Sequence, residues 1–188
     1  GMNAYQPALR RRVSFRLANQ LLESLWKTKL SVRPGLNEEE LDRQAIRQTG
    51  LTDFGDPWFR RPLRMLLKSL AEEARLNPLG RLVAHVYILK LLRERLWGEQ
   101  WFAEHPEIAQ RPLAAPVVVV GPMRSGTTRL HRLLAADERF AHLRFFETMC
   151  PVPKPAGNGH DQPPLNGRDT RPRFAALSLA LLHRANPT

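Results

Sequence analysis

At 188 residues, 43% of them hydrophobic, the chain is long enough to bury one domain core, or a helical region plus part of a second unit, which excludes a disordered or fibrous protein. Its longest apolar runs, AAPVVVV and FAALSLALL, fall far short of the roughly 20 residues that span a bilayer, and its one cysteine, Cys150, excludes an internal disulfide and a Cys/His zinc cluster. The formal charge of +11, from 29 Lys and Arg against 18 Asp and Glu, suits an anionic partner without choosing among nucleic acid, phospholipid and nucleotide.

A first amphipathic helix is expected from about residue 8, where Val13, Leu17, Leu21 and Leu25 recur every four residues, to Arg33-Pro34-Gly35. Asn37 followed by Glu40 resembles a capping box and opens a second helix, which Gly50 closes. Asp56-Pro57 is an N-cap with proline at the first helical position, opening a third helix through about Leu76; Asn77-Pro78 repeats the device for a fourth, to about Glu104, apolar on more than one face. At Ala115-Pro116 the texture changes. Val117–Val120 is a continuous β-branched run, as in a strand buried on both faces. LHRLLA follows at helical spacing, then a second strand candidate around His142–Phe146. That order predicts one β-α-β unit of a P-loop-like parallel sheet, so the expected fold class is α/β: an all-helical region over 1–112, then the start of an α/β domain over 113–188. A loop over 151–173 and a last helix, Phe174–Arg184, ending at Asn186-Pro187, complete the chain. Two strands do not make a stable sheet, so the second domain is expected to be truncated.

The chemistry concentrates in VVVVGPMRSGTTRLHRLL, residues 117–134. A Gly-flanked turn running into a helix leaves several amides unpaired and aimed at one spot, with the positive end of the helix dipole behind them: an anion cradle. Gly121 and Gly126 permit the turn and a close approach, and Thr127 and Thr128 add hydroxyl donors. The Gly121-x4-Gly126 spacing is like that of the nucleotide-triphosphate P-loop, but Thr127 stands where that loop needs lysine, which counts against ATP and GTP. The cation is Arg124.

The run Arg124-Ser125-Gly126-Thr127-Thr128 resembles the phosphosulfate loop of sulfotransferases that use 3'-phosphoadenosine-5'-phosphosulfate (PAPS), in which Lys or Arg, then Ser or Thr, then Gly-Thr-Thr follow a strand. GLTDFGDPWFRRPLRMLLKSL, EARLNPLGR and HPEIAQRPLAAPVVVVGPMRSGTTRLHRLLAADERF extend the resemblance to the N-terminal portion of a bacterial PAPS-dependent sulfotransferase family, over most of residues 36–188. The resemblance implies transfer of a sulfuryl group from PAPS, as co-substrate and without a metal, to a hydroxyl or amine. It implies that Arg124 stabilises charge on the leaving phosphate and that the amides of Ser125, Gly126, Thr127 and Thr128 hold the 5'-phosphate. Glu147, in FFETM, resembles the glutamate that takes the acceptor's proton in tyrosylprotein and heparan-type sulfotransferases; other members use a histidine from a later segment. The arginine and serine with which relatives hold the 3'-phosphate have no counterpart in this sequence.

The remaining residues carry plainer expectations. His131 reads as a surface or interface helix residue, and His85, His105, His142, His160 and His183 show no ligand spacing. Cys150 reads as a small buried hydrophobe, and Trp26, Trp58, Trp97 and Trp101 as packing residues. The expected partner is a small-molecule, lipid or carbohydrate acceptor, with a homodimer left open. Nucleic acid is not expected, because only Arg10–Arg12 form a basic run. The amphipathic VSFRLANQLLESLWK after that run is unlike a secretory signal, so a cytoplasmic location is expected. Two other functions stay open at this stage: a nucleotide-phosphate-binding or kinase-like P-loop protein, and a basic helical interaction module.

Overall fold

The computed structural model describes residues 6–112, 115–152 and 171–185. Its helices are α1 (Gln6–Lys27), α2 (Glu38–Thr49), α3 (Arg60–Glu72), α4 (Pro78–Glu104), α5 (Glu107–Gln110), α6 (Thr127–Leu134), α7 (Phe145–Met149) and α8 (Arg171–Ala185), with one 3-10 turn, Pro57–Phe59, leading into α3. The expected loop lies outside the described residues over 153–170, as does the Asn186-Pro187 helix end. The chain divides into two compact units, Gly1–Gln100 and Trp101–Thr188.

In the first unit the helix ends follow from local chemistry. Asn37 Oδ1 accepts from the Glu40 amide at 2.8 Å, satisfying one of the orphan donors of α2, and Asn37 Nδ2 donates to Glu40 Oε2 at 3.1 Å. Gly50 ends α2 at φ 73°, its amide donating to Ile46 O at 2.8 Å. Asp56 accepts from the Trp58 amide at 2.9 Å, and Asn77 from the Gly80 amide at 2.7 Å. These caps bring the apolar faces of α2, α3 and α4 together: Leu41, Ala45, Leu67, Ile88, Leu92 and Leu96 form one buried cluster. α4 buries a stripe through His85, Ile88, Leu89, Leu92 and Leu96, and Glu94 as well, while Val83, Val86, Tyr87 and Leu91 on its other faces are exposed.

Polar groups fix the packing. His85 is buried with Nδ1 2.7 Å from Gly35 O and Nε2 3.0 Å from Gln44 Oε1, linking α4 to α2 and the segment before it. Arg60 joins α3 to α2 through Glu38 at 3.1 Å and through Asp42, and its guanidinium lies 4.6 Å and 4.7 Å from the ring centres of Phe54 and Phe59. Asp42 Oδ1 is buried with no hydrogen-bond partner, and this burial pushes the Asp42 carboxyl up against the opposing pull of Arg60. Trp58 is not a packing residue in the expected sense: it is 69% exposed, with Arg95 near its ring.

The second unit overturns the α/β expectation. Residues 115–120 take no regular structure, and Val117, Val118 and Val120 are 64%, 72% and 86% exposed. Residues 141–144 are also irregular, and from Phe145 the second strand candidate becomes α7. Among the described residues all regular structure is helical. The reason is physical: a parallel strand exists only through its neighbours' hydrogen bonds and the cover on both faces, and no described residues provide either. Over 145–149 local chemistry decides instead. Arg144 N donates to Glu147 Oε2 at 2.6 Å, an N-terminal cap that starts a helix. α7 then packs on α8, with Arg171 5.4 Å from the Phe146 ring centre and Arg171 Nη1 donating to Cys150 O at 3.3 Å.

Candidate anion-binding loop

The turn expected to hold an anion is built by two left-handed residues. Gly126 has φ 89° and Arg124 has φ 67°. Glycine adopts this region freely; arginine does not. The other non-glycine residues with positive φ, Lys29 and Arg75, fall just beyond α1 and α3, where a left-handed residue commonly ends a helix. Arg124 follows no helix, so its backbone is strained by the turn itself.

Gly121 is required for a different reason. A Cβ there would lie 2.6 Å from Ser125 Oγ and 2.9 Å from Thr127 Cγ2, so the turn closes over the glycine's bare backbone. Ser125 N donates to Pro122 O at 3.2 Å, and the amides of Arg129 and Leu130 reach back to Gly126 O at 2.9 Å and 3.0 Å. Gly126 caps α6 with no side chain to offer, so among the described residues the amides of Gly126, Thr127 and Thr128 have no acceptor. They are the orphan donors that a helix start presents to an anion. Arg124 and Thr128 are exposed, Thr127 is half-buried, and Arg124 makes no ion pair among the described residues.

Glu147 is placed differently. It is half-buried in the first turn of α7, and its Oε2 is held by the Arg144 amide at 2.6 Å, leaving Oε1 as the oxygen open to other chemistry. A cleft of about 640 Å³ runs between the segments carrying α6 and α7, lined by Thr128, His131, Arg132, Ala135, Ala136, His142, Leu143, Phe145 and Thr148. Thr128 therefore belongs to both the turn and the cleft, while Glu147 does not line it. The rings of His131 and His142 meet edge to face, 6.3 Å apart at 82°. Sequence reading gave these two histidines no function; the spacing of 128, 131 and 132 on one helical face was a signal for His131, whereas His142 had none.

Beyond the cleft, Arg139 clasps Asp137 through its side chain and backbone, holding the Asp137 carboxyl below its usual range. Cys150 is buried, as expected of a packing residue. Among the described residues no three His, Cys, Asp or Glu side chains group as metal ligands, and no helix is long and apolar enough to cross a membrane.

The turn is thus made of a left-handed arginine, two glycines and a helix start whose first amides have no acceptor among the described residues. The chain is similar to the crystal structure of sulfotransferase STF1 from Mycobacterium tuberculosis, with 28% identity and a TM-score of 0.63 over 84% of this chain. This supports a sulfotransferase-like fold. The chain spans 42% of the length of that protein. No family model and no curated protein matches the sequence.

Proposed function

We propose that this chain carries the donor-binding part of a PAPS-dependent sulfotransferase, with the helical lead-in over 1–112 and the donor-binding segment over 113–188. The observation that carries the reading is the turn: Arg124 is held at φ 67° two residues before Gly126, against amides of Gly126, Thr127 and Thr128 that have no acceptor among the described residues. The likeness to STF1 supports the same transfer chemistry.

In this reading the 5'-phosphate of PAPS sits on those amides and on the hydroxyls of Thr127 and Thr128, while the Ser125 amide, already donating to Pro122 O at 3.2 Å, closes the turn instead. The acceptor attacks the sulfur of PAPS and the phosphate leaves, with Arg124 as the electrostatic stabiliser of that leaving group. A guanidinium stays charged, so it stabilises the negative charge that grows on the phosphate oxygen as the S–O bond lengthens, and it donates no proton to the leaving group. No metal enters the scheme. Glu147 is the acceptor's base through Oε1, since Oε2 is occupied by the Arg144 amide.

The test is calorimetric titration of PAPS, and separately of Mg-ATP, into the chain and its Arg124→Ala variant. The expected result is PAPS binding, weakened about tenfold or more in the variant, as loss of a charge-assisted contact predicts, with no ATP binding. A folded chain that binds neither nucleotide, or ATP alone, overturns the reading.

A further inference from the structure

We propose that the cleft along α6 binds a small amphiphile with an acidic head, the head lying on Arg132, His131 and His142 and the alkyl part on Leu143 and Phe145. The cleft's volume of about 640 Å³ is that of a ligand site. Thr128, His131 and Arg132 follow one another at i, i+3 and i+4, and Ala135, the residue that caps α6, continues the row at i+7, so a single face of α6 and its cap forms one wall.

Charge selects the head. No carboxylate lines the cleft, and Arg132 makes no ion pair among the described residues. The acids nearest in sequence are engaged elsewhere: Asp137 is clasped by Arg139, and Glu147 accepts from the Arg144 amide. The edge-to-face contact between His131 and His142 holds two imidazoles against the same space. A bare inorganic anion would leave the other half unused, because Ala135, Ala136, Leu143 and Phe145 are apolar, and Leu143 is 66% exposed. An alkyl chain covers that surface and gains the free energy of its burial.

Thr128 links this cleft to the anion-binding turn, so a ligand here lies beside the donor. Resting on the proposed sulfotransferase reading, the acceptor class is then an acidic amphiphile that also carries the hydroxyl or amine to be sulfated, the proton of which is displaced as the sulfuryl group arrives; the binding itself does not depend on that reading.

The experiment titrates decyl phosphate and decanoate, below their micelle concentrations, into the full chain, with decanol as the neutral comparison. Saturable binding of at least one acid is expected, weakened about tenfold in Arg132→Ala, as for a lost charge-assisted contact, and weakened also in Leu143→Asp. Both sites are on the surface, and circular dichroism checks that the variants keep their helix content. Whichever acid binds more tightly identifies the head as phosphate or carboxylate. Absence of saturable binding, equal affinity in both variants, or decanol binding as tightly as the acids would each overturn the proposal. Arg124→Ala separates the two readings: it is expected to lose PAPS while keeping the amphiphile. Loss of the amphiphile in that variant would put the head in the turn and remove the cleft's role. Amphiphile binding without any PAPS binding would sink the donor reading and leave the cleft standing.

Discussion

Arg124 holds a left-handed backbone at φ 67°, and the contributions of that backbone and of its side chain can be separated. Arg124→Gly is expected to raise stability by about 1 kcal/mol, because glycine adopts φ 67° without the penalty, and to abolish PAPS binding, because the guanidinium is gone. Chemical denaturation and calorimetry on the same variant check both halves; a less stable variant would mean that the turn is not strained. Asp42 makes a second residue-scale prediction. Its folded carboxyl is pushed up by burial, so the native state keeps a proton that the unfolded chain has released. Its contribution to stability is therefore most favourable below the unfolded value of about 3.8 and falls as pH rises through the folded value. Asp42→Asn should gain stability relative to the parent across that window, measured by denaturation at several pH values. A constant difference would contradict the assignment.

The capped helix ends at Asn37, Gly50, Asp56 and Asn77 are where sequence and structure agree, because a cap is a contact between residues two to four apart, whereas α1 ends at Lys27 and not at Arg33-Pro34-Gly35, and α3 at Glu72 and not near Leu76. Asn37, Gly50, Asp56 and Asn77 act through such contacts, and Asn37→Ala should destabilise the first unit by about 1 kcal/mol, read from its denaturation midpoint. The turn was legible for the same reason: Gly121 is demanded by atoms of Ser125 and Thr127, at most six residues away, and Gly126 by its own φ of 89°. The strands were not. Val117–Val120 has the composition of a buried strand, but pairing depends on partners that no local pattern supplies. Arg144-Phe145-Phe146-Glu147 carried its own counter-signal, a glutamate three residues after a cap position, which makes the segment helical and engages half of the carboxylate expected to act as a base. His131 and His142 were missed because the segments that bring them together are eleven residues apart and joined by no regular pattern.

For the whole molecule, the exposed run at Val117, Val118 and Val120 is a concentrated apolar surface on a chain of formal charge +11. Val118→Lys is expected to leave helix content and melting temperature unchanged and to reduce self-association in sedimentation velocity at raised salt, where charge repulsion is screened. A drop in melting temperature would show that the run is packed in solution. The central claim, that unpaired amides at the start of α6 receive the donor's phosphate, is tested most directly by following backbone amide resonances as PAPS is added. The account predicts the largest shifts at Gly126, Thr127 and Thr128, absent with Mg-ATP and absent in Arg124→Ala. Shifts confined to other residues, or equal shifts with ATP, would contradict it.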